Sequence, residues 1–266
     1  MGDGPLQCPC DGRFVTEAWR YDRPPVGETH FSFSGEGYER TIERCSLCGH
    51  FISRLDFGAE IYAGGYVDAT YGDGLADAYA RIMALPPEQS DNAARVARVV
   101  EFVRGRLPES ATVLDVGSGL CVFLARLKEH GLVGTALDPD PRAAEHARKT
   151  VGVESVCGDF MALDDLGTFD LVAFNKVLEH VEDPVAMLAR AREVLASGGI
   201  VYVEVPDGDA AADEGPEREE FFVEHLHVFS PASLALAATR AGLSLLRIDR
   251  LREPSTKYTL AAFLRA

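Results

Sequence analysis

The sequence predicts an α/β protein: a mainly parallel sheet with helices on both faces, an antiparallel pair of strands at its end, and a small cysteine-bearing module in front. Three observations lead there. From Thr112 onward short apolar runs alternate with segments of helical period, the pattern of a parallel sheet covered by helices. Four of the six cysteines, Cys8, Cys10, Cys45 and Cys48, fall in the first fifty residues, amid Gly, Pro and aromatic residues. With 266 residues, 47% of them hydrophobic, the chain can bury one full-sized domain and carry a small appendage.

The elements follow in order. Residues 1–58 are expected to form the irregular, strand-containing module, and residues 59–87, with "IYAGGYVDATYGDG", a tyrosine- and glycine-rich connector. Residues 88–266 make up the main domain. It opens with a helix between Glu88 and Arg106, where Ala93, Val96, Ala97, Val100 and Val103 have helical spacing. Strand "TVLDVG" precedes helix "VFLARLKEHG", which Gly131 stops. Strand "LVGTALD" precedes helix "PRAAEHARKT", with Pro141 in its first turn. Strands "VESVCGD" and "FDLVAFN", helix "PVAMLARAREVLA", a turn at Gly198-Gly199 and strand "IVYVEVP" continue the alternation. An acidic stretch, expected to be solvated or a lid, leads to helix "PASLALAATRAG" and the final pair "LSLLRIDRL" and "KYTLAAFLRA". Cys121 and Cys157 are expected to be buried.

The net charge is −16, from 26 Lys and Arg against 42 Asp and Glu. Such a surface repels phosphate backbones and anionic lipid, which argues against nucleic acid and membrane as partners. No apolar run reaches the length that spans a bilayer, and "MGDGPLQCPCDG" has neither the basic nor the apolar region of a secretory signal. A cytoplasmic location is therefore expected, where thiols stay reduced and paired cysteines hold metal.

In open α/β sheets ligands bind beyond the carboxyl ends of the strands. The first strand ends in Asp115-Val116-Gly117-Ser118-Gly119, and the third glycine of a dinucleotide fingerprint would fall on Val122. Asp115 ahead of the glycines would repel a pyrophosphate but not a cationic ligand. The second strand ends at Asp138, where a carboxylate can accept both ribose hydroxyls. The third ends in Gly158-Asp159-Phe160 and the fourth at Asn175.

"VLDVGSG", "ALDPD", "CGDF", "FDLVAFNKVLEHVEDP" and "LASGGIVYVEVPD", in this order and spacing, resemble the class I S-adenosylmethionine-dependent methyltransferases. The resemblance implies a Rossmann-like seven-stranded sheet with a terminal antiparallel hairpin. It implies that Asp115, Gly117, Ser118 and Gly119 line the methionine half of the cofactor. Asp138 and Pro139 would lie at the ribose, Asp159 and Phe160 at the adenine, and Asn175 near the methionine end. One departure is Cys121, where the family's pattern has glycine.

Cys8-x-Cys10 and Cys45-x-x-Cys48 suit a closed, tetrahedral, structural zinc site; free thiols, or His50 in place of one cysteine, are the alternatives. Cysteine module, tyrosine connector and methyltransferase domain in this order resemble a subgroup of small-molecule methyltransferases that includes enzymes of antibiotic and deoxysugar biosynthesis. By that resemblance Tyr62, Tyr66 and Tyr71 sit on a lid over the cofactor, with Tyr66 counted as a contact. Two clusters can supply a base: Glu179-His180, and "FFVEHLHVFSP" with Glu224, His225 and His227. In related sugar C-methyltransferases the residue matching His225 is the proposed base; here Phe222 stands at their tyrosine position. His225 is thus read as general base with Glu224 and His180 as its neighbours, His180 having a packing or capping reading as well, and His227 as structural. The expected activity is methyl transfer to oxygen or carbon of a small molecule, such as a sugar or secondary-metabolite intermediate. A non-catalytic, carrier-protein-recruiting cofactor binder is the alternative, and a carrier protein or a homodimer the expected macromolecular partner.

Overall fold

The computed structural model describes residues 6–10, 14–29, 38–55 and 74–266. Tyr62, Tyr66 and Tyr71 lie outside the described residues.

The main sheet is built from five parallel strands, β4 (Thr112–Val116), β5 (Val133–Asp138), β6 (Glu154–Cys157), β7 (Phe169–Asn175) and β8 (Leu195–Pro206), and the hairpin β10 (Ser244–Arg252) and β11 (Tyr258–Arg265). Their order is β10-β11-β8-β7-β4-β5-β6, with β11 antiparallel to both neighbours. Strands buried on both faces read as continuous apolar runs, and β7 and β8 do. Val201, Val203 and Val205 point to one face, where helices α5 (Pro184–Glu193) and α7 (Pro231–Arg240) supply Leu188 and Ala237. Ile200 and Tyr202 point to the other, against Val99 of α2 (Asp91–Val103) and Phe123 of α3 (Val122–Lys128). Helices α1 (Leu75–Met83) and α4 (Pro141–His146) complete that layer.

Two expectations change here. Gly198-Gly199 does not precede β8 but lies within it; the pairing with β7 slips between Phe169 and Leu171 to absorb the pair. The acidic stretch is anchored rather than loose. Asp207 is buried, caps the short helix α6 (Gly208–Ala212) through Ala210 N, and accepts from Arg250 Nε and Nη2 at 2.6 and 3.0 Å.

The N-terminal strands β1 (Val15–Tyr21), β2 (Arg40–Cys45) and β3 (Phe51–Leu55) form an antiparallel meander. Its fourth strand comes from far along the chain: β9 (His227–Val228) pairs antiparallel with β3, joining Ile52 to His227 and Phe51 to Val228. At Gly208 a Cβ would stand 2.7 Å from the Phe51 ring, so only glycine lets α6 seat against β3.

Candidate active site

The turn after β4 is pinned to its neighbour: Gly117 N and Ser118 N both donate to Leu137 O, at 2.8 and 3.1 Å. Asp115 is 2% exposed, and Asn175 Nδ2 donates to its Oδ1 at 2.7 Å. Burial pushes its carboxyl up to about 7, against the pull of Asn175 and Arg95. Asp138 accepts from Gly119 N (2.8 Å) and from Asp140 N (2.9 Å). Burial raises its pKa too, opposed by these bonds. The two glycines serve different ends. Gly117 (φ +69°) has no room for a Cβ, which would meet Val177 Cγ2 at 2.8 Å; Gly119 (φ +48°) faces open space. Cys121 takes φ +58°, a left-handed conformation that glycine adopts without cost, which explains the family's preference at this place. Ser118 Oγ and Asn175 Oδ1 are shielded from water and have no partner among the described residues. Such atoms at the carboxyl ends of strands suit a polar ligand.

At the next strand ends, Asp159 is exposed, with Oδ1 accepting from Met161 N, and Pro139 is exposed. Phe160 buries its ring in the core, edge-on to Phe174 at 5.8 Å between centroids. Cys121 is buried as expected, but Cys157 is exposed.

A buried charge layer beside Asn175 escaped sequence reading. Glu204, paired in register with Asn175, is fully buried and accepts from Arg95 Nε at 2.6 Å and Arg98 Nη1 at 2.7 Å, both from α2. Burial would raise its pKa, but Arg95, Lys176 and Arg98 prevail and hold it low. Lys176, at φ +61°, donates to Thr259 Oγ1 at 2.8 Å. The signal was present: one acid inside the apolar run "IVYVEVP", and two arginines three apart on a helix.

The structure brings Glu179, His180 and His225 together, one ligating atom of each lying within 4.8 Å of the others. The imidazoles are 5.0 Å apart. Each Nδ1 is turned onto a carbonyl, His180 to Glu224 O and His225 to Glu220 O, both at 2.8 Å. A carbonyl only accepts, so Nδ1 carries the proton and Nε2 is the basic atom of each neutral ring. Burial lowers both pKa values; for His225 the drop is large, helped by His180. Glu179 is 1% exposed, and burial pushes it up to about 7; its Oε2 has no partner among the described residues. Glu224, placed beside His225 in the sequence, sends its backbone to His180 and accepts from Thr29 Oγ1 at 3.4 Å.

The four N-terminal cysteines converge, their sulfurs within 4.8 Å of one another. Cys8 and Cys48 are 3.0 Å apart, Cys8 and Cys10 3.3 Å, Cys10 and Cys45 3.4 Å. The thiol bond from Cys8 draws Cys48 down to about 5 and pushes Cys8 up. His50 stands apart from them: its two nitrogens engage Ser233 and His227.

A seven-stranded sheet with a terminal antiparallel hairpin, and acids at the ends of β4 and β5, define the methyltransferase class. Residues 89–248 match the methyltransferase domain family, and the chain belongs to it; it is an S-adenosylmethionine-dependent methyltransferase. It is 31% identical over 163 residues to the ubiquinone biosynthesis O-methyltransferase of Xanthomonas axonopodis pv. citri (strain 306), covering 55% of this chain and 68% of that one. The enzyme of that name from Xylella fastidiosa (strain 9a5c) is 29% identical over 177 residues, or 58% and 69% of the two chains. Among solved structures, the Burkholderia thailandensis 1,6-didemethyltoxoflavin-N1-methyltransferase, with its acceptor and S-adenosylhomocysteine bound, superposes with a TM-score of 0.60 at 20% identity, over 90% of this chain and 99% of that one. The magnesium protoporphyrin IX methyltransferase of Synechocystis PCC 6803 gives 0.57 at 17% identity, over 74% and 96%. These two likenesses show the fold. No helix among the described residues is long and apolar enough to cross a membrane.

Proposed function

We propose that the protein transfers a methyl group from S-adenosylmethionine to a hydroxyl oxygen of a small molecule, with His225 as general base. One observation carries this reading: His225 turns its Nδ1 onto a carbonyl, which leaves Nε2 as the basic atom of a neutral ring, and it stands beside His180 and the buried carboxyl of Glu179. A base of this kind takes the hydroxyl proton as oxygen attacks. S-adenosylmethionine would bring the methyl group on a sulfonium, and transfer is an in-line displacement. Asp115 and the Gly117–Gly119 turn hold its amino-acid end, where a carboxylate meets an ammonium, and Asp138 accepts from its ribose. Asn175, fixed by its bond to Asp115, offers nearby its Oδ1, which has no partner among the described residues. Asp159 and the backbone at Phe160 border the adenine, the Phe160 ring being part of the core. The O-methyltransferase names of the curated relatives support oxygen as the acceptor atom.

Cys8, Cys10, Cys45 and Cys48 hold a zinc ion in this reading. Four sulfurs in one cluster, one thiol drawn into the thiolate range, suit a closed structural site that lends stability to a module too small for a core of its own.

Methyl transfer to a panel of phenols and sugars, with amines and acidic carbon acceptors of similar size beside them, followed by S-adenosylhomocysteine release, tests the proposal. Turnover on hydroxyl acceptors, lost in His225→Ala with cofactor binding intact, is expected. Methylation of carbon or nitrogen acceptors alone would overturn the oxygen assignment.

A further inference from the structure

The segment that carries His225 is held from both ends by the N-terminal module. At its upstream end Arg40 and Glu28 form an ion pair in which the residues are 1% and 4% exposed. The pair turns its remaining capacity on the backbone of the segment: Arg40 Nη1 donates to Phe221 O at 2.6 Å, and Val223 N donates to Glu28 Oε1 at 2.7 Å. Tyr38 donates to the other Glu28 oxygen at 2.7 Å, and Arg40 lies over the Tyr21 ring. Trp19 and Phe51 pack edge-on against Phe221, at 4.7 and 5.2 Å.

At the downstream end the grip comes from the last cysteine of the second pair and the residues that follow it. Ser230 donates to Cys48 O, Ser53 N donates to Leu226 O at 2.9 Å, and β3 pairs with β9. Between them runs a chain of side chains: Ser233 Oγ to His50 Nδ1 at 3.1 Å, His50 Nε2 to His227 Nδ1 at 3.0 Å, His227 Nε2 to Glu182 O at 3.2 Å. The last partner is a carbonyl, which fixes the direction of the bond between the two rings. His227 Nε2–H donates to Glu182 O, so in a neutral ring its Nδ1 must accept from His50 Nε2–H, and His50 Nδ1 is left as an acceptor facing the Ser233 hydroxyl, whose one hydrogen also faces Ser230 O at 3.1 Å. His50 is thereby a directed link from the cysteine-bearing turn to the residue two past His225. On the opposite side the loop after β7 holds the same segment, Glu179 O accepting from Leu226 N and His227 N at 2.8 and 3.1 Å.

We propose that the N-terminal module is a clamp that sets the position of His225, with His50 and Arg40 as positioning residues acting at the two ends of its segment. This rests on the reading of His225 as the base. Misplacing a reacting group by about 1 Å costs on the order of 100-fold in rate, so a clamp that acts through position changes kcat and leaves cofactor affinity alone.

Two substitutions at one site separate this from a general stabilising role. A Gln at position 50 reaches as far as Nε2 and can still donate to His227; an Asn reaches only as far as Nδ1 and keeps Ser233 alone. The full-length, zinc-loaded protein is compared as wild type, His50→Gln and His50→Asn, with 3,4-dihydroxybenzoate as probe acceptor and S-adenosylhomocysteine binding by calorimetry. The His225 Cε1–H resonance is read in histidine-labelled protein, assigned by its loss in His225→Ala. The expected result is a kcat about tenfold or more lower in His50→Asn, near wild type in His50→Gln, with cofactor affinity within about twofold in both. The His225 resonance moves in His50→Asn and not in His50→Gln. Equal behaviour of the two variants, or a loss of cofactor affinity parallel to kcat, would overturn the proposal. If the wild type methylates no hydroxyl probe, the acceptor reading fails and the resonance alone decides the clamp. Arg40→Lys keeps the charge beside Glu28 but cannot also reach Phe221 O. It tests the other grip with the same readouts, and replaces His50→Asn if that variant does not fold; an unmoved resonance there overturns the proposal equally.

Discussion

Asp115→Asn should make the unliganded protein more stable and a poorer binder, with a pH signature that isolates this one carboxyl. Asp115 is 2% exposed, and burial lifts its pKa from an ordinary 3.8 to about 7. The folded state therefore keeps a proton that the unfolded chain gives up near pH 4. A raised carboxyl contributes stability below its unfolded pKa and loses it as pH climbs to the folded value. The loss runs at about 1.4 kcal/mol per pH unit between pH 4 and 7, roughly 4 kcal/mol in all, and is flat above that. Asparagine does not titrate, and its Oδ1 can still accept from Asn175. Of the other buried acids, Glu179 titrates alike in both proteins and cancels in the difference, whereas Asp138, whose charge helps to raise Asp115, is coupled to it and adds a smaller change of its own. Urea unfolding at intervals from pH 4 to 8 should show the variant gaining on wild type across that window. The opposite holds for ligand: wild-type affinity for S-adenosylmethionine should rise as pH passes 7 and the carboxylate forms, while the variant binds about 10- to 100-fold more weakly at pH 8, the worth of one charged hydrogen bond. A variant that is destabilised at pH 8 would refute the burial argument, and one that binds cofactor as wild type does would refute the assignment of Asp115 to the cationic end.

The remaining expectations follow from the same geometry. His225→Ala should lower kcat by about 10²- to 10⁴-fold at saturating cofactor. In wild type the acid limb of kcat should fall below the ordinary histidine value of 6.5, because burial lowers His225; a limb above pH 7 would point to another base. Gly117→Ala should cut stability by about 1–3 kcal/mol through the clash with Val177 and the left-handed backbone. Gly119→Ala, which meets no protein atom, should cost less stability but weaken cofactor binding, as thermal melts with and without ligand would show. Zinc analysis should find one ion per chain, and Cys48→Ser should lose it and destabilise by more than about 4 kcal/mol, whereas Cys157→Ser, at an exposed thiol, changes neither.

What could be read from the sequence was whatever is local. Strand–helix alternation, the acid–glycine turn and the two cysteine pairs each lie within a few residues, and local sterics or ligand spacing dictate them. Long-range pairing was hidden. Nothing in "HVFS" announces a strand that completes a sheet 175 residues upstream, because two residues carry no period. The Glu28–Arg40 pair reads as two surface charges until folding places it beneath Phe221 and Val223. Glu204, an acid amid valines, was a local anomaly that could have been read: a buried acid needs cations, and Arg95 and Arg98 were the ones on offer.

Cys121 shows how a local rule and the fold can disagree without contradiction. The family's glycine is explained by φ +58° at the head of α3, where any side chain carries a cost of about 1–2 kcal/mol. Cys121 is 1% exposed and packed among Val113, Phe123 and Ala136, so its side chain recovers burial that glycine would forgo. The two effects oppose each other with similar size. Cys121→Gly should therefore shift stability by less than about 1 kcal/mol, whereas Cys121→Val, which adds a branched Cβ at the same φ, should destabilise by more than about 2 kcal/mol. A large gain on going to glycine would mean that backbone strain dominates at this turn and that the cysteine is held there by something other than packing.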